Sequence, residues 1–149
     1  MSKMNVKLFA FRSGRGHRKQ LKLYPLIDSG SDMTLFPSFV GRDLHLVQNN
    51  DIEQIKIMGV TIPFWFVNLN LYIPDTDCLI ENFRVGIAID DDEVDDLSYP
   101  ILGTDFLQQT GGILDFGKDR HAIVCDARAR GEHSDAPRVA IRKRLRHRG

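Results

Sequence analysis

The chain has 149 residues, of which 42% are hydrophobic and 27% charged, so it is long enough for one domain with a core and too short for two. Twenty basic and twenty acidic residues cancel, which excludes a general polyanion binder. The charges are uneven, because six acids lie between Asp90 and Asp96, whereas residues 126–149 hold eight Lys and Arg against three Asp and Glu.

The compartment is predicted from cysteine content and hydropathy. Cys78 and Cys125 are the only cysteines, which excludes a disulfide framework and leaves a single bridge open. Met1 to Arg12 has no apolar run of signal-peptide length, and the most apolar stretch, Ile62 to Ile73, contains Pro63 and is too short to cross a bilayer. We therefore expect a soluble cytoplasmic protein in a reducing environment.

Short alternating segments predict a mostly β domain, with a helical turn or two at Phe39 to Leu46. Met58-Gly59-Val60 separates two of the strands, and Ser13 to Gly16 forms a basic turn between two others. The strands predicted in this part of the chain are Val6 to Phe11, Gln20 to Ile27, Ile52 to Ile57, Ile62 to Ile73 and Phe83 to Ile89.

The C-terminal third predicts one short helix between strands. Thr104 to Thr110 begins with a capping-type threonine, and Gly111-Gly112 ends it because glycine tolerates the positive φ of a helix exit. Ile113 to Phe116 and His121 to Cys125 follow as strands. We expect a domain over residues 1–125 and a disordered, Arg-rich tail over residues 126–149.

The stretch most informative for chemistry is Leu26 to Asp32, in which a hydrophobic strand delivers Asp28 into a Ser-Gly-Ser turn. A carboxylate at the end of an apolar strand is costly unless its charge is used or paired. Asp-Ser-Gly alone is a weak signal, because the same residues form ordinary turns with Asx-type hydrogen bonds. The residues on both sides, and a second element far downstream, favour the chemical interpretation.

PLIDSGSDMTLFP resembles the active-site segment of retropepsin-like aspartic proteases, in which apolar residues lead into Asp-Thr/Ser-Gly. Pro100 to Leu107 resembles the second signature of that family, and Gln108 to Phe116 resembles its helix exit and interface strand. The likeness covers roughly Asn5 to Cys125. It implies a closed, barrel-like β lobe with one short C-terminal helix, and two lobes formed by homodimerisation.

The resemblance implies an aspartic endopeptidase that hydrolyses peptide bonds. Amide hydrolysis needs a base and an acid, and two close carboxylates that share one proton supply both. Asp105 lies in Gly-Thr-Asp, which is not a second catalytic motif, so Asp28 of another copy must complete the pair. A two-fold homodimer meets this need. The alternative is a non-catalytic dimeric module that binds peptide or protein on the same fold.

Residues around Asp28 acquire supporting roles from the resemblance. Ser29 is expected to reach across the dimer axis, although its hydroxyl could simply satisfy the turn, and Gly30 lets substrate backbone approach. Asp32 is expected to bind substrate main chain. Retroviral relatives pair that aspartate with an arginine at the position of Thr104, so here Arg12 is the hypothetical partner, within or across subunits.

The substrate cleft is expected to include Met58, Gly59 and Val60 as a flap tip, with an ordinary hairpin turn as the equal alternative. Ile101 is expected to form a wall of the cleft, a role that core packing does not exclude. Phe64, Trp65 and Phe66 could line a groove, but core or interface packing is favoured.

The sequence gives no argument for a metal or an organic cofactor. The acidic run lacks EF-hand spacing, which favours a solvated loop over a calcium site, and the five histidines show no paired metal spacing. The basic tail could contact nucleic acid or an anionic membrane, but it lacks interleaved aromatics and any nucleic-acid motif. The expected partners are therefore a polypeptide substrate and a second copy of the chain.

Overall fold

A computed structural model describes residues 5–13, 19–110, 112–117 and 120–124. These residues form ten strands and two short α-helices, so the predicted mostly β fold is confirmed. A single 3-10 turn, Pro74–Thr76, joins the two longest strands. The elements in chain order are β1 (Leu8–Phe11), β2 (Gln20–Leu23), β3 (Leu26–Ile27), β4 (Leu35–Phe36), α1 (Ser38–Asp43), β5 (Ile52–Ile57), β6 (Val60–Ile73), β7 (Cys78–Ala88), β8 (Ile101–Leu102), α2 (Thr104–Gln109), β9 (Gly112–Gly117) and β10 (Arg120–Val124).

Eight strands form one curled, half-barrel sheet in the order β2-β1-β6-β7-β4-β8-β3, with β5 paired to β6 beside that path. β6 and β7, the two longest strands, pair antiparallel along most of their lengths and lie inside the sheet. β9 and β10 form a separate antiparallel hairpin. The predicted strands at Ile113 and His121 therefore occur, whereas the predicted tail lies outside the described residues.

The core has two apolar clusters. The larger lies under β1, β6 and β7 and includes Trp65 and Phe106, whose ring meets Phe83 edge-to-face with centroids 5.4 Å apart. The smaller lies beneath the β5–β6 hairpin and includes Phe64 and Phe66. All three aromatic residues of the Phe64–Phe66 run are thus buried, so their favoured role in packing agrees with the structure.

The single strand predicted from Gln20 to Ile27 is wrong. Tyr24 and Pro25 separate β2 from β3, because proline has no N–H to donate to a ladder. The break sends β2 to one edge of the sheet and β3 to the other. This separation is what allows β3 to carry Asp28 to a different neighbour from the rest of the N-terminal hairpin.

β7 begins five residues before the predicted start at Phe83. The part of β7 before Phe83 does not show in the sequence pattern because of an irregularity at Asn82. Asn82 has a φ of 53° and donates its backbone N–H to the buried Asn70 side chain at 3.0 Å. The pairing with β6 shifts between Leu69 and Leu71 at the same place. This bulge interrupts the alternation that identifies a strand from sequence.

Cys78 at the start of β7 is fully buried and disulfide-bonded. A single bridge is the possibility that the cysteine count leaves open. Within the described ranges, no helix is long and apolar enough to span a membrane.

Candidate active site

Asp28 is positioned by the parallel pairing of β3 with β8. Leu26 donates its N–H to Pro100 O, and Asp28 donates its N–H to Leu102 O, both at 2.9 Å. On the opposite side of β8, Leu35 of β4 pairs antiparallel with Ile101. The loop formed by residues 28–34, called the Asp28 loop below, therefore leaves β3 on one side of β8 and returns on the other.

The Asp28 loop begins as a tight turn. Oδ1 of Asp28 accepts the Gly30 N–H at 2.9 Å, and the Asp28 carbonyl accepts the Ser31 N–H at 3.1 Å. A Cβ added at Gly30 would lie 3.2 Å from the same Oδ1, so glycine leaves the carboxylate uncrowded. The Asx-type turn and a presented carboxylate therefore coexist, rather than being alternatives.

The end of the Asp28 loop is held by the start of α2. Thr34, which is fully buried, donates its N–H and its hydroxyl to the two carboxylate oxygens of Asp105 at 3.1 and 2.8 Å. The Thr34 hydroxyl also accepts the Gly103 N–H at 3.1 Å. In the middle of the loop, Ser31 O accepts the Thr104 N–H at 2.8 Å. The loop is therefore fastened to one continuous segment of chain.

Thr104 does not have its predicted capping role. It is the first helical residue, and Gly103 occupies the N-cap with extended backbone and no side-chain hydrogen bond. Glycine is required there for a steric reason, because an added Cβ would lie only 2.6 Å from the Met33 carbonyl carbon and 2.8 Å from its nitrogen. The Asp28 loop and the start of α2 therefore touch backbone to backbone.

A cavity of about 320 Å³ lies between the Asp28 loop and the β5–β6 hairpin. Five of the residues assigned to the site from sequence line it, whereas Ser29, Gly59 and Val60 do not. Six lining residues had not been assigned to the site from sequence. The lining residues are Asp28, Gly30, Ser31, Asp32, Met33, Leu35, Ile55, Lys56, Ile57, Met58 and Ile101.

The hairpin over the cavity has a two-residue turn. Met58 and Gly59 have φ values of 51° and 83°, the pair of positive angles that matches the twist of a tight hairpin. Val60 already belongs to β6 and pairs with Ile57. Ile55 and Ile57 pack against the smaller core cluster, while Met58 is 89% exposed. The cavity side of the hairpin is thus mainly strand β5 rather than the tip alone.

Asp32 lines the cavity but forms no ion pair with Arg12 inside this chain; the ion pairs found among described side chains are Arg42–Asp90 and Arg84–Asp51. Pairing of Arg12 across subunits stays a prediction. Ser29 is exposed beside the turn, and its cross-axis role also stays a prediction.

Part of the acidic run has a structural task at α1. The carboxylate of Asp96 accepts the backbone N–H of Ser38 at 3.0 Å and also its hydroxyl, while Asp90 pairs with Arg42 of the same helix at 3.2 Å. The described side chains contain no group of three or more His, Cys, Asp or Glu that could hold a metal ion.

Outside the cavity wall, Asp105 and Thr34 also contribute to the site and were not predicted from the sequence. They lie 71 positions apart, so no local spacing links them. The available signal was an acidic residue in the first turn of a predicted helix, inside the segment Pro100 to Leu107 that resembles the second family signature.

No family model and no curated protein matches the sequence. Among solved structures, EIAV protease complexed with the inhibitor HBY-793 has a TM-score of 0.55 and 18% identity, covering 77% of this chain and 94% of that chain. A retropepsin-like aspartic protease from Rickettsia conorii has a TM-score of 0.46 and 14% identity, covering 77% and 88%. The chain therefore has the fold of the retropepsin-like aspartic proteases.

Proposed function

We propose that this protein is an aspartic endopeptidase whose active site forms between two copies of the chain, each contributing Asp28. The observation that carries the proposal is the placement of the Asp28 carboxylate in a cavity roofed by a hairpin, on a loop fixed by β8 and α2. The fold shared with EIAV protease supports it.

The hydrogen bonding of Asp28 suits this chemistry. The Gly30 N–H donates a hydrogen bond to Oδ1 of Asp28, and among the described residues no donor binds Oδ2. One oxygen is thus oriented by the backbone while the other is available to a water molecule or to a second carboxylate. A base must lie within hydrogen-bond reach of the proton that it removes, and an oriented carboxylate meets that requirement.

The dimer supplies the second catalytic group. Two Asp28 carboxylates facing each other across a two-fold axis cannot both carry charge cheaply, so they share one proton, as the catalytic pair of aspartic proteases does. The unprotonated carboxylate takes a proton from a water molecule, and the oxygen of that water attacks the scissile carbonyl carbon. The protonated carboxylate assists departure of the amine when the C–N bond breaks.

The remaining cavity residues suit an extended peptide. Leu35, Ile55, Ile57 and Ile101 give apolar walls, whereas Asp32 provides acceptors for main-chain N–H groups. The β5–β6 hairpin acts as a flap that closes over the bound segment. The walls favour apolar substrate side chains, because polar groups would be buried there without partners.

The test compares wild type with Asp28→Asn in a peptide-library cleavage assay across acidic to neutral pH, with sedimentation to record assembly. We expect Asp28→Asn to dimerise and to lose cleavage by about 10²- to 10⁴-fold or more, the range of general acid–base catalysis. Asp32→Asn is the matched control, because it changes a carboxylate in the same cavity that lies outside the pair. It should retain more activity than Asp28→Asn and raise KM.

A mixing experiment tests the shared site. When wild type and Asp28→Asn are mixed at constant total protein concentration and subunits exchange, total activity should fall with the square of the wild-type fraction, because only wild-type pairs cleave. A linear decrease would show that each chain carries its own complete site. A dimer that binds peptides but leaves them intact, in wild type and variant alike, would favour the non-catalytic module.

A further inference from the structure

The Asp105 carboxylate, in the first turn of α2, accepts three hydrogen bonds. Its Oδ1 accepts the Thr34 hydroxyl at 2.8 Å and the Phe106 N–H at 2.7 Å, while its Oδ2 accepts the Thr34 N–H at 3.1 Å. Three donors thus converge on two acceptor oxygens. Asp105 is not a residue of the cavity wall, so this arrangement acts on the site through another residue.

The Thr34 hydroxyl both donates and accepts a hydrogen bond here. Its oxygen accepts the Gly103 N–H, and its proton goes to Asp105. The side chain is fully buried, where an unmade hydrogen bond is expensive. The direction of the chain of bonds, from Gly103 through Thr34 to Asp105, is therefore fixed.

The same segment of chain fastens the Asp28 loop along its length. Leu102 O accepts the Asp28 N–H, Thr104 N–H binds Ser31 O, and Gly103 and Asp105 bind Thr34. The beginning, middle and end of the loop are thus all hydrogen-bonded to the four consecutive residues 102–105. Loss of the Asp105 bonds would leave Thr34 held by the N–H groups of Gly86 and Gly103 but detached from the Asp105 side chain of α2, and we expect this to loosen the loop that carries Asp28.

We propose that Asp105 is a positioning residue, which acts through Thr34 to hold the Asp28 carboxylate in place for cleavage. The inference rests on the proposed function. It requires a carboxylate rather than an amide, because asparagine has one acceptor oxygen and would turn N–H donors toward Thr34, whose own N–H and hydroxyl proton already point at this site.

The chain contains a matched contact outside the cavity wall. Asp96 also uses both carboxylate oxygens to accept the backbone N–H and the hydroxyl of a single buried residue, Ser38 at the start of α1. Neither residue lines the cavity. Loss of this contact reports the structural cost of such a pair without moving the Asp28 loop.

The experiment uses the full chain and compares Asp105→Asn, Thr34→Val and Thr34→Ser with the controls Asp96→Asn and Ser38→Ala. We expect Asp105→Asn and Thr34→Val to lower kcat by roughly 10- to 100-fold with KM and dimerisation little changed, the scale of a small misplacement of a catalytic group. Thr34→Ser keeps the hydroxyl and should restore most of kcat. The controls should lower Tm and leave kcat unchanged.

The result that overturns the proposal is a kcat for Asp105→Asn no lower than those of the Asp96→Asn and Ser38→Ala controls. Amide hydrogen exchange at Gly30, Ser31 and Thr104 is measured in the same variants and needs no catalysis. Exchange should accelerate with Asp105→Asn and stay as in wild type with the controls. If wild type cleaves nothing, the proposed function fails, while unchanged exchange in Asp105→Asn separately refutes the positioning role.

Discussion

The Asp28 loop and the β5–β6 hairpin face the same cavity but are held in opposite ways. The loop is bound to residues 102–105 by backbone and buried side-chain hydrogen bonds. In the hairpin, β5 has β6 as its partner in the main sheet, and Met58 at the tip is 89% exposed. A site that must keep its catalytic groups in place and also admit a large substrate needs a fixed part and a movable part. We call the Asp28 loop, with the residues 102–105 that hold it, the floor of the cavity, and the β5–β6 hairpin its roof.

The difference between the Asp28 loop and the β5–β6 hairpin is also seen in the surroundings of one glycine in each region. Gly103 has ordinary extended backbone and no room for a side chain, whereas Gly59 has open space around it and a φ of 83°. The first is demanded by packing against a fixed loop and the second by the shape of a free turn. Replacing each with alanine therefore separates the two regions.

Gly103→Ala should give the largest loss of stability. The new Cβ would meet Met33 backbone, which cannot swing aside like a side chain, so the Asp28 loop or α2 must shift. We expect destabilisation of about 3 kcal/mol or more, at the upper end of overpacking effects. Thermal or urea unfolding measures it. A loss below about 1 kcal/mol would show that the floor yields easily and would break the comparison.

Gly59→Ala should have a smaller and more local effect. Alanine at positive φ costs about 1–2 kcal/mol, and no steric term adds to it because no atom lies within 4 Å. Hydrogen exchange should accelerate in β5 and the adjoining part of β6, with little change around Asp28. Gly59→Asn is the control, because asparagine tolerates the left-handed region and should cost less. Equal acceleration at the Asp28 loop would mean that roof and floor open together.

Local patterns predicted strand β5 of the roof and, on the side of the floor, the helix α2. Ile52 to Ile57 was predicted with its observed bounds, and the α2 helix was predicted within one residue, because alternation and paired glycines are visible in sequence. The turn was predicted one residue too long, since β6 begins already at Val60. The resemblance also predicted the lobe that these elements form.

The floor was less accessible to sequence analysis, for a physical reason. β4 and β8 have two residues each, too few to show any period, and both exist because they pair with distant strands. Thr34 and Asp105 are joined only in the folded chain. Pro25 was a visible signal for the break between β2 and β3 that the strand pattern around it concealed.

The smallest predicted effect concerns the base of the roof. Arg84 of β7 pairs with Asp51, just before β5, at 3.1 Å, and its guanidinium lies 3.9 Å from the centroid of the Phe66 ring. The Arg42–Asp90 pair has a similar distance and similar exposure, with no such ring contact among the described residues. The two arginines therefore differ mainly in the aromatic contact.

Arg84→Ala should lower the free energy of unfolding by about 1 kcal/mol, and Arg42→Ala by about 0.5 kcal/mol or less, because exposed ion pairs contribute little and a cation–π contact adds about 0.5–1 kcal/mol. Chemical denaturation of both variants at two salt concentrations measures the difference. Salt should weaken the ion-pair contribution in each and leave most of the excess at Arg84. Equal losses would show that the ring contact does not hold the hairpin base. Strand pairing and the hydrogen bond that the Asn49 side-chain N–H donates to Phe66 O would then be its attachments.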